Sequence, residues 1–157
     1  MELQFHSTVL FCQDVQKQKE FYTQFLGQEI ELDHGHYVVL KNHLTLWQIG
    51  DDYPIARELG YAYEPIGNRN LEVCFETDAF GDAVEKVLTA DIRILHNVAE
   101  EPWGQYTIRF YDPEGNLVEI GESMKSMAGR MKDAGMTIED MVKKTSLSVT
   151  YIKKLLE

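Results

Sequence analysis

The chain has 157 residues, 44% of them hydrophobic and 11% aromatic, which is ordinary for one compact domain with a small appendage. Its formal charge of −11 argues against binding of nucleic acid or an anionic membrane by the bulk of the surface. That charge is uneven: residues 1 to 123 carry 8 basic and 22 acidic side chains, residues 124 to 157 carry 7 and 4.

The opening MELQFHSTVL contains Glu2 and no basic n-region, so it does not read as a signal peptide. No apolar run approaches the roughly 20 residues needed to span a bilayer. Residues 8 to 12 read as a strand, apolar and rich in β-branched and aromatic side chains. Asp14 is an N-cap for a helix with Phe21, Tyr22 and Phe25 on one face and Lys17, Lys19 and Glu20 outside. Gly27 supplies its C-terminal stop. HYVVLKNHLTLWQIG is a hairpin turning at Lys41-Asn42. Residues 51 to 68 hold two prolines and two glycines and read as a linker whose tyrosines can fold over a ligand.

A second copy of the pattern begins at Leu71. EVCFET is a strand, Asp78 is the expected cap of a helix around residues 83 to 88, and a strand starts over residues 92 to 95. EEPWGQ is a loop, and YTIRFY-DPEG-NLVEI is a hairpin around a four-residue turn, Pro113 pre-setting φ and Gly115 closing. Residues 7 to 28 and 72 to 93 thus spell the same strand, turn and helix, each followed by short strands. The repeat implies two βαβββ units, each too small to bury its own sheet, with a ligand cavity between them. Cys12 and Cys74 fall inside strands with neither CxxC spacing nor a partner His, and read as reduced, buried thiols of a cytoplasmic protein.

The tail differs in kind. Met124, Met127 and Met131 recur at helical spacing until Gly135. Thr137 to Asp140 resembles a capping box opening a helix to Lys144, and Ser148 caps a last helix through Leu156. This rhythm suits either an oligomer contact or a DNA-reading helix pair. A net charge of +3 and no Arg after Arg130 weigh against nucleic acid.

DVQKQKEFYTQFLGQE and EEPWGQYTIRFYDPEGNLVEI resemble the vicinal oxygen chelate superfamily, which includes glyoxalase I, bleomycin-resistance proteins, fosfomycin-resistance proteins and extradiol dioxygenases. The resemblance covers about residues 5 to 122. It implies an α+β fold of paired βαβββ modules, about 5–49 and 70–122, forming an open cavity within a domain of residues 1–123. Residues 124–157 form a C-terminal helical extension. Metal-using members of the superfamily place one ligand on the first and one on the last strand of each module. An ungapped alignment carries these positions onto Ser7, Thr45, Glu72 and Glu119, of which Glu119 alone keeps its usual residue type.

Two hydroxyls are poor ligands for Zn, Ni or Fe. His6 is one residue early, on the opposite strand face. His34 and His36 fall at a turn, and His43 and His96 have no partner at metal spacing. Glu72 and Glu119, on neighbouring strands, are the expected catalytic pair, since adjacent carboxylates can act as acid and base. Ser7, Thr45, Trp47, Cys74, Trp103 and Arg109 are the expected ligand-binding residues, while Trp47, Trp103, Tyr106 and Tyr111 form an aromatic wall or part of the core.

The expected function is binding or conversion of a small organic molecule by a homodimer, with no cofactor. One alternative is a lyase, isomerase or dioxygenase that holds a divalent metal ion. Another is a ligand-sensing regulator that uses its helical tail.

Overall fold

A computed structural model describes residues 6–50 and 71–157. The linker with its tyrosines lies outside the described residues. The chain divides into two compact units, one of residues 1–68 with 112–116, the other of residues 69–111 with 117–157.

In the first unit, β1 (Thr8–Cys12) leads into α1 (Val15–Glu20) and a wider π-helical turn, Phe21–Phe25. Asp14 caps α1 by accepting from the Lys17 N–H, as the sequence indicates. The π turn is not visible in the periodicity: the Leu26 N–H reaches back to the Phe21 carbonyl. Gly27 then ends the helix at φ +67°, where a side chain would be strained. Strands β2 (Ile30–Asp33), β3 (Tyr37–Leu40) and β4 (Leu44–Gln48) complete a sheet in the order β1-β4-β3-β2. Strand β1 lies parallel to β4 with Val9 opposite Thr45.

Period-2 alternation gives this sheet two characters. Leu10, Cys12, Val38, Leu40, Leu44 and Leu46 are buried, as are Phe21 and Tyr22 of the helical segment. The other face carries the aromatic row Phe11, Trp47 and Tyr37, with Trp47 5.7 Å from Phe11 and 5.8 Å from Tyr37 between ring centres.

The second unit repeats the order. Strand β5 (Glu72–Thr77), helix α2 (Phe80–Thr89), and strands β6 (Ile94–Glu100), β7 (Tyr106–Tyr111) and β8 (Leu117–Glu122) form a sheet ordered β5-β8-β7-β6. Ile108, Phe110, Val118 and Ile120 are buried on one face, and Val87 of α2 is buried with no exposed surface. Asp78 does not cap α2. The N-cap is Ala79, and the Asp78 carboxylate instead accepts from the Ser123 and Ser126 hydroxyls. A nearby pair of hydroxyl donors outcompetes the local capping geometry. Cys12 is buried as expected, but Cys74 is exposed, because strand alternation turns it to the face opposite Ile108 and Phe110.

The tail forms α3 (Met124–Asp133), α4 (Ile138–Thr145) and α5 (Val149–Leu155). Ser123, Thr137 and Ser148 cap them through side-chain oxygens. Met127, Met131, Met141 and Ile152 bury one another in a core belonging to the tail itself. Among the described residues no helix is long and apolar enough to cross a membrane.

Candidate functional site on the second sheet

The face of the second sheet opposite Ile108 and Phe110 carries a polar row that crosses all four strands. Cys74 on β5 lies opposite Glu119 on β8, Glu119 opposite Arg109 on β7, and Arg109 opposite His96 on β6. The cause is the same alternation that buries Ile108 and Phe110 and turns Thr107 and Arg109 the other way. Glu72 and Glu76 flank Cys74 at two-residue spacing on the same face.

Arg109 is the centre. Its Nε donates to Glu72 Oε1 at 2.6 Å, and its Nη2 pairs with Glu119 Oε2. Its Nη1 donates to Glu101 Oε1 at 2.6 Å, with Thr107 Oγ1 at 3.3 Å and His96 Nε2 at 3.2 Å. His96 Nδ1 lies 2.6 Å from the Asn97 carbonyl. A carbonyl can only accept, so Nδ1 holds the proton and Nε2 accepts from the guanidinium. Burial works against the Arg109 charge, but the hydrogen bonds to Glu101 and Glu72 outweigh it and hold the guanidinium above its ordinary range.

The carboxylates respond differently. Hydrogen bonding from Arg109 holds Glu101 below the usual carboxylate range despite partial burial. Burial pushes Glu119 up against the pull of Arg109, and the charges of Glu72 and Glu101 add to the rise. Burial, then Glu72 and Glu119, push the Cys74 thiol to about 11, which disfavours its thiolate at neutral pH.

The structure therefore brings Glu72, Cys74, Arg109 and Glu119 together. Trp103 stands apart on the loop after β6, 38% exposed, its indole Nε1 donating to Gln105 Oε1. Gln105 in turn donates to Glu76 Oε1 and to the Glu122 carbonyl. Ser7, Thr45 and Trp47 belong to the first unit. Ser7 precedes β1, and Thr45 is fully buried with no partner for its Oγ1 among the described residues. His6, His34 and His36 are exposed. Tyr106 lies under the Arg130 guanidinium, 3.8 Å from its ring centre, and serves in packing.

Sequence reasoning did not connect Glu101 or His96 to the site. The register of β6 shifts on both sides of His96, so alternation does not place it across from Arg109, and Glu101 reaches the site from a loop, where spacing carries no such signal.

The metal-using relatives of this fold raise the question of a divalent ion. Glu72, Cys74 and Glu119 offer donor atoms within 4.8 Å of one another. Both carboxylates already hold a guanidinium, which occupies the charge-balancing place a cation would take. Among the described residues three donors converge here, and they do not make a four-ligand divalent site.

A family model described as a glyoxalase-like domain matches residues 5–125. A protein of unknown function from Agrobacterium tumefaciens str. C58 has 27% identity over 79% of this chain and 97% of its own, with a TM-score of 0.69. Lactoylglutathione lyase from Agrobacterium tumefaciens has 25% identity over 76% and 93%, with a TM-score of 0.55. A glyoxalase/bleomycin resistance protein/dioxygenase from Nocardioides shares the fold, with 22% identity over 78% and 85% and a TM-score of 0.58. No curated protein matches the chain. With two βαβββ modules in its fold and most of its length matched, the chain belongs to the glyoxalase-like domain family, within the vicinal oxygen chelate superfamily.

Proposed function

We propose that the polar face of the second sheet, centred on Glu72, Cys74, Arg109 and Glu119, binds a small organic molecule without a four-ligand metal ion. The observation that carries this reading is the saturation of Arg109. Each of its three guanidinium nitrogens is engaged by a carboxylate. The arginine is thus not free to recognise an anion, and three carboxylates surround one cation. What remains on offer is acceptor capacity, which suits a ligand that brings donors: an ammonium, an amidinium or a cluster of hydroxyls. If the bound molecule is also converted, Glu119 is the carboxyl best placed to supply a proton, because burial raises its proton affinity. Homodimerisation fits the same reading, since Ile30 and Leu32 on β2 and Leu95 and Val98 on β6 are exposed along sheet edges.

The test is a thermal-shift and calorimetric comparison of small aromatic amines with their neutral and carboxylate counterparts. The amines should raise Tm and the carboxylates should not. Glu72→Gln and Glu119→Gln should each weaken amine binding by roughly tenfold or more, the worth of one charge-assisted hydrogen bond. Glu85→Gln, on the exposed side of α2, should leave it unchanged. Preference for carboxylates would overturn the reading, as would one tightly held divalent ion per chain whose removal by chelator lowers Tm.

A further inference from the structure

We propose that the helical extension positions the Arg109 cluster, and hence the ligand face, through the segment Glu100–Gln105. Two adjacent carboxylates in this segment point to different partners. Glu100 Oε1 accepts from Lys144 Nζ of α4 at 2.5 Å, and Glu101 Oε1 accepts from Arg109 Nη1 at 2.6 Å. The segment is tight: the Glu101 N–H bonds the Gln105 carbonyl and the Gly104 N–H bonds the Glu101 carbonyl. Its tip is gripped from the tail, since Arg130 Nη2 of α3 donates to the Gly104 carbonyl at 2.6 Å.

Gly104 sits at φ +95°, and a side chain there would meet Met131 Cε and Lys144 Cε. The tail therefore packs against bare backbone at the point where the segment turns back toward the site. The far end is tied as well, because Gln105 reaches Glu76, on the same strand face as Glu72 and Cys74. Tail, segment and cluster form one bonded chain within the second unit. Arg130 and Lys144 are positioning residues: neither bonds Arg109, yet both fix the backbone that delivers Glu101.

The consequence is readable without a ligand, so it stands or falls separately from the ligand-face proposal. Freed from Glu101, the guanidinium would concentrate on Glu72 and Glu119, next to Cys74, and ease thiolate formation there. The measurement is the iodoacetamide alkylation rate of Cys74 near pH ~8, followed by peptide mass spectrometry, with buried Cys12 as the slow internal reference. Arg130→Met should accelerate Cys74 by about threefold, the effect of roughly half a unit in thiol pKa. Glu101→Gln should accelerate it too, and adding Arg130→Met to Glu101→Gln should then change nothing further. An unchanged rate in folded Arg130→Met overturns the proposal. So does an equal acceleration with and without Glu101→Gln, which would mean general loosening. If Arg130→Met does not fold, the same cycle is run with Lys144→Ala, which cuts the other attachment, and the same two outcomes overturn the proposal.

Discussion

Arg109 stands where three carboxylates would otherwise repel one another, and its removal should show how much of the site's order is electrostatic. Arg109→Met keeps much of the stem and deletes the charge. At neutral pH it should cost about 3 kcal/mol, the scale on which one partner is lost from a sheltered ion pair. The sign with pH follows from where the proton affinities move. Without the guanidinium, Glu101 and Glu119 would both have folded-state affinities above those of the unfolded chain. Their mutual repulsion would then be relieved as pH falls toward the ordinary carboxylate range near ~4.3. In the wild type, Glu101 contributes the other way: hydrogen bonding holds it low, so its stabilisation is lost as acid titrates it below that range. The deficit of Arg109→Met should therefore shrink from pH 7 to pH 5, as urea unfolding at each pH would show, and a deficit constant over that range would refute the electrostatic account. The face that Arg109 occupies was legible in YTIRFY, where Ile108 and Phe110 claim the core and leave Arg109 opposite. Its saturation was not, because two of the groups that saturate it, Glu101 and His96, come from a loop and a strand whose bulged register no spacing rule fixes.

At the scale of elements, the turn between β7 and β8 does more than reverse the chain. Asp112 Oδ1 accepts from the Glu114 and Asn116 N–H groups, and Oδ2 from Gln18 Nε2, Tyr22 Oη and Asn116 Nδ2. Glu114 Oε1 accepts from the Gln13 and Asp14 N–H groups, so the turn also holds the entry to α1. Five donors converge on one buried carboxylate, which makes the near-isosteric Asp112→Asn informative. The new amide must aim its own hydrogens at donors, and at least one pair is lost. Chemical unfolding should register a cost of about 3 kcal/mol, against about 1 kcal/mol for Tyr22→Phe, which removes a single donor. Equal costs would mean that the turn is held by its backbone rather than by the carboxylate. Asp-Pro-Glu-Gly announced a turn in the sequence, and the helix and strands around it followed from caps and periodicity. The reach of Asp112 back to Gln18 and Tyr22 could not be read, since side-chain partners about 90 residues apart leave no local pattern. The same limit explains Asp78, read as a cap from its neighbours but bonded to the Ser123 and Ser126 hydroxyls.

At the scale of the whole molecule, the helical extension reads differently in three dimensions than as a stripe of methionines. Met124, Met127 and Met131 suggest an apolar face waiting for the rest of the protein. In the structure Met127 and Met131 are buried together with Met141 and Ile152, all from the tail. Beside the packing of Met131 at Gly104, polar contacts join this cluster to the sheet: Arg130 with Glu122 and Gly104, Lys144 with Glu100, and Ser123 and Ser126 with Asp78. Truncations should therefore rank against length. Ending the chain after Ser123 removes the apolar cluster whole and leaves Glu122 to be hydrated, which costs an ion pair but strands little apolar surface. Ending it after Met136 keeps α3 and strips α4 and α5 away, uncovering Met127 and Met131, each of which loses roughly 1.5–3 kcal/mol of burial. The longer product should be the less stable of the two, and its uncovered patch should make it aggregate at concentrations where the shorter one stays dispersed. Light scattering and thermal unfolding of the two truncations decide the matter. If the chain ending at Ser123 is instead the worse behaved, the extension is part of the sheet module's own core and the reading of a self-contained cluster fails.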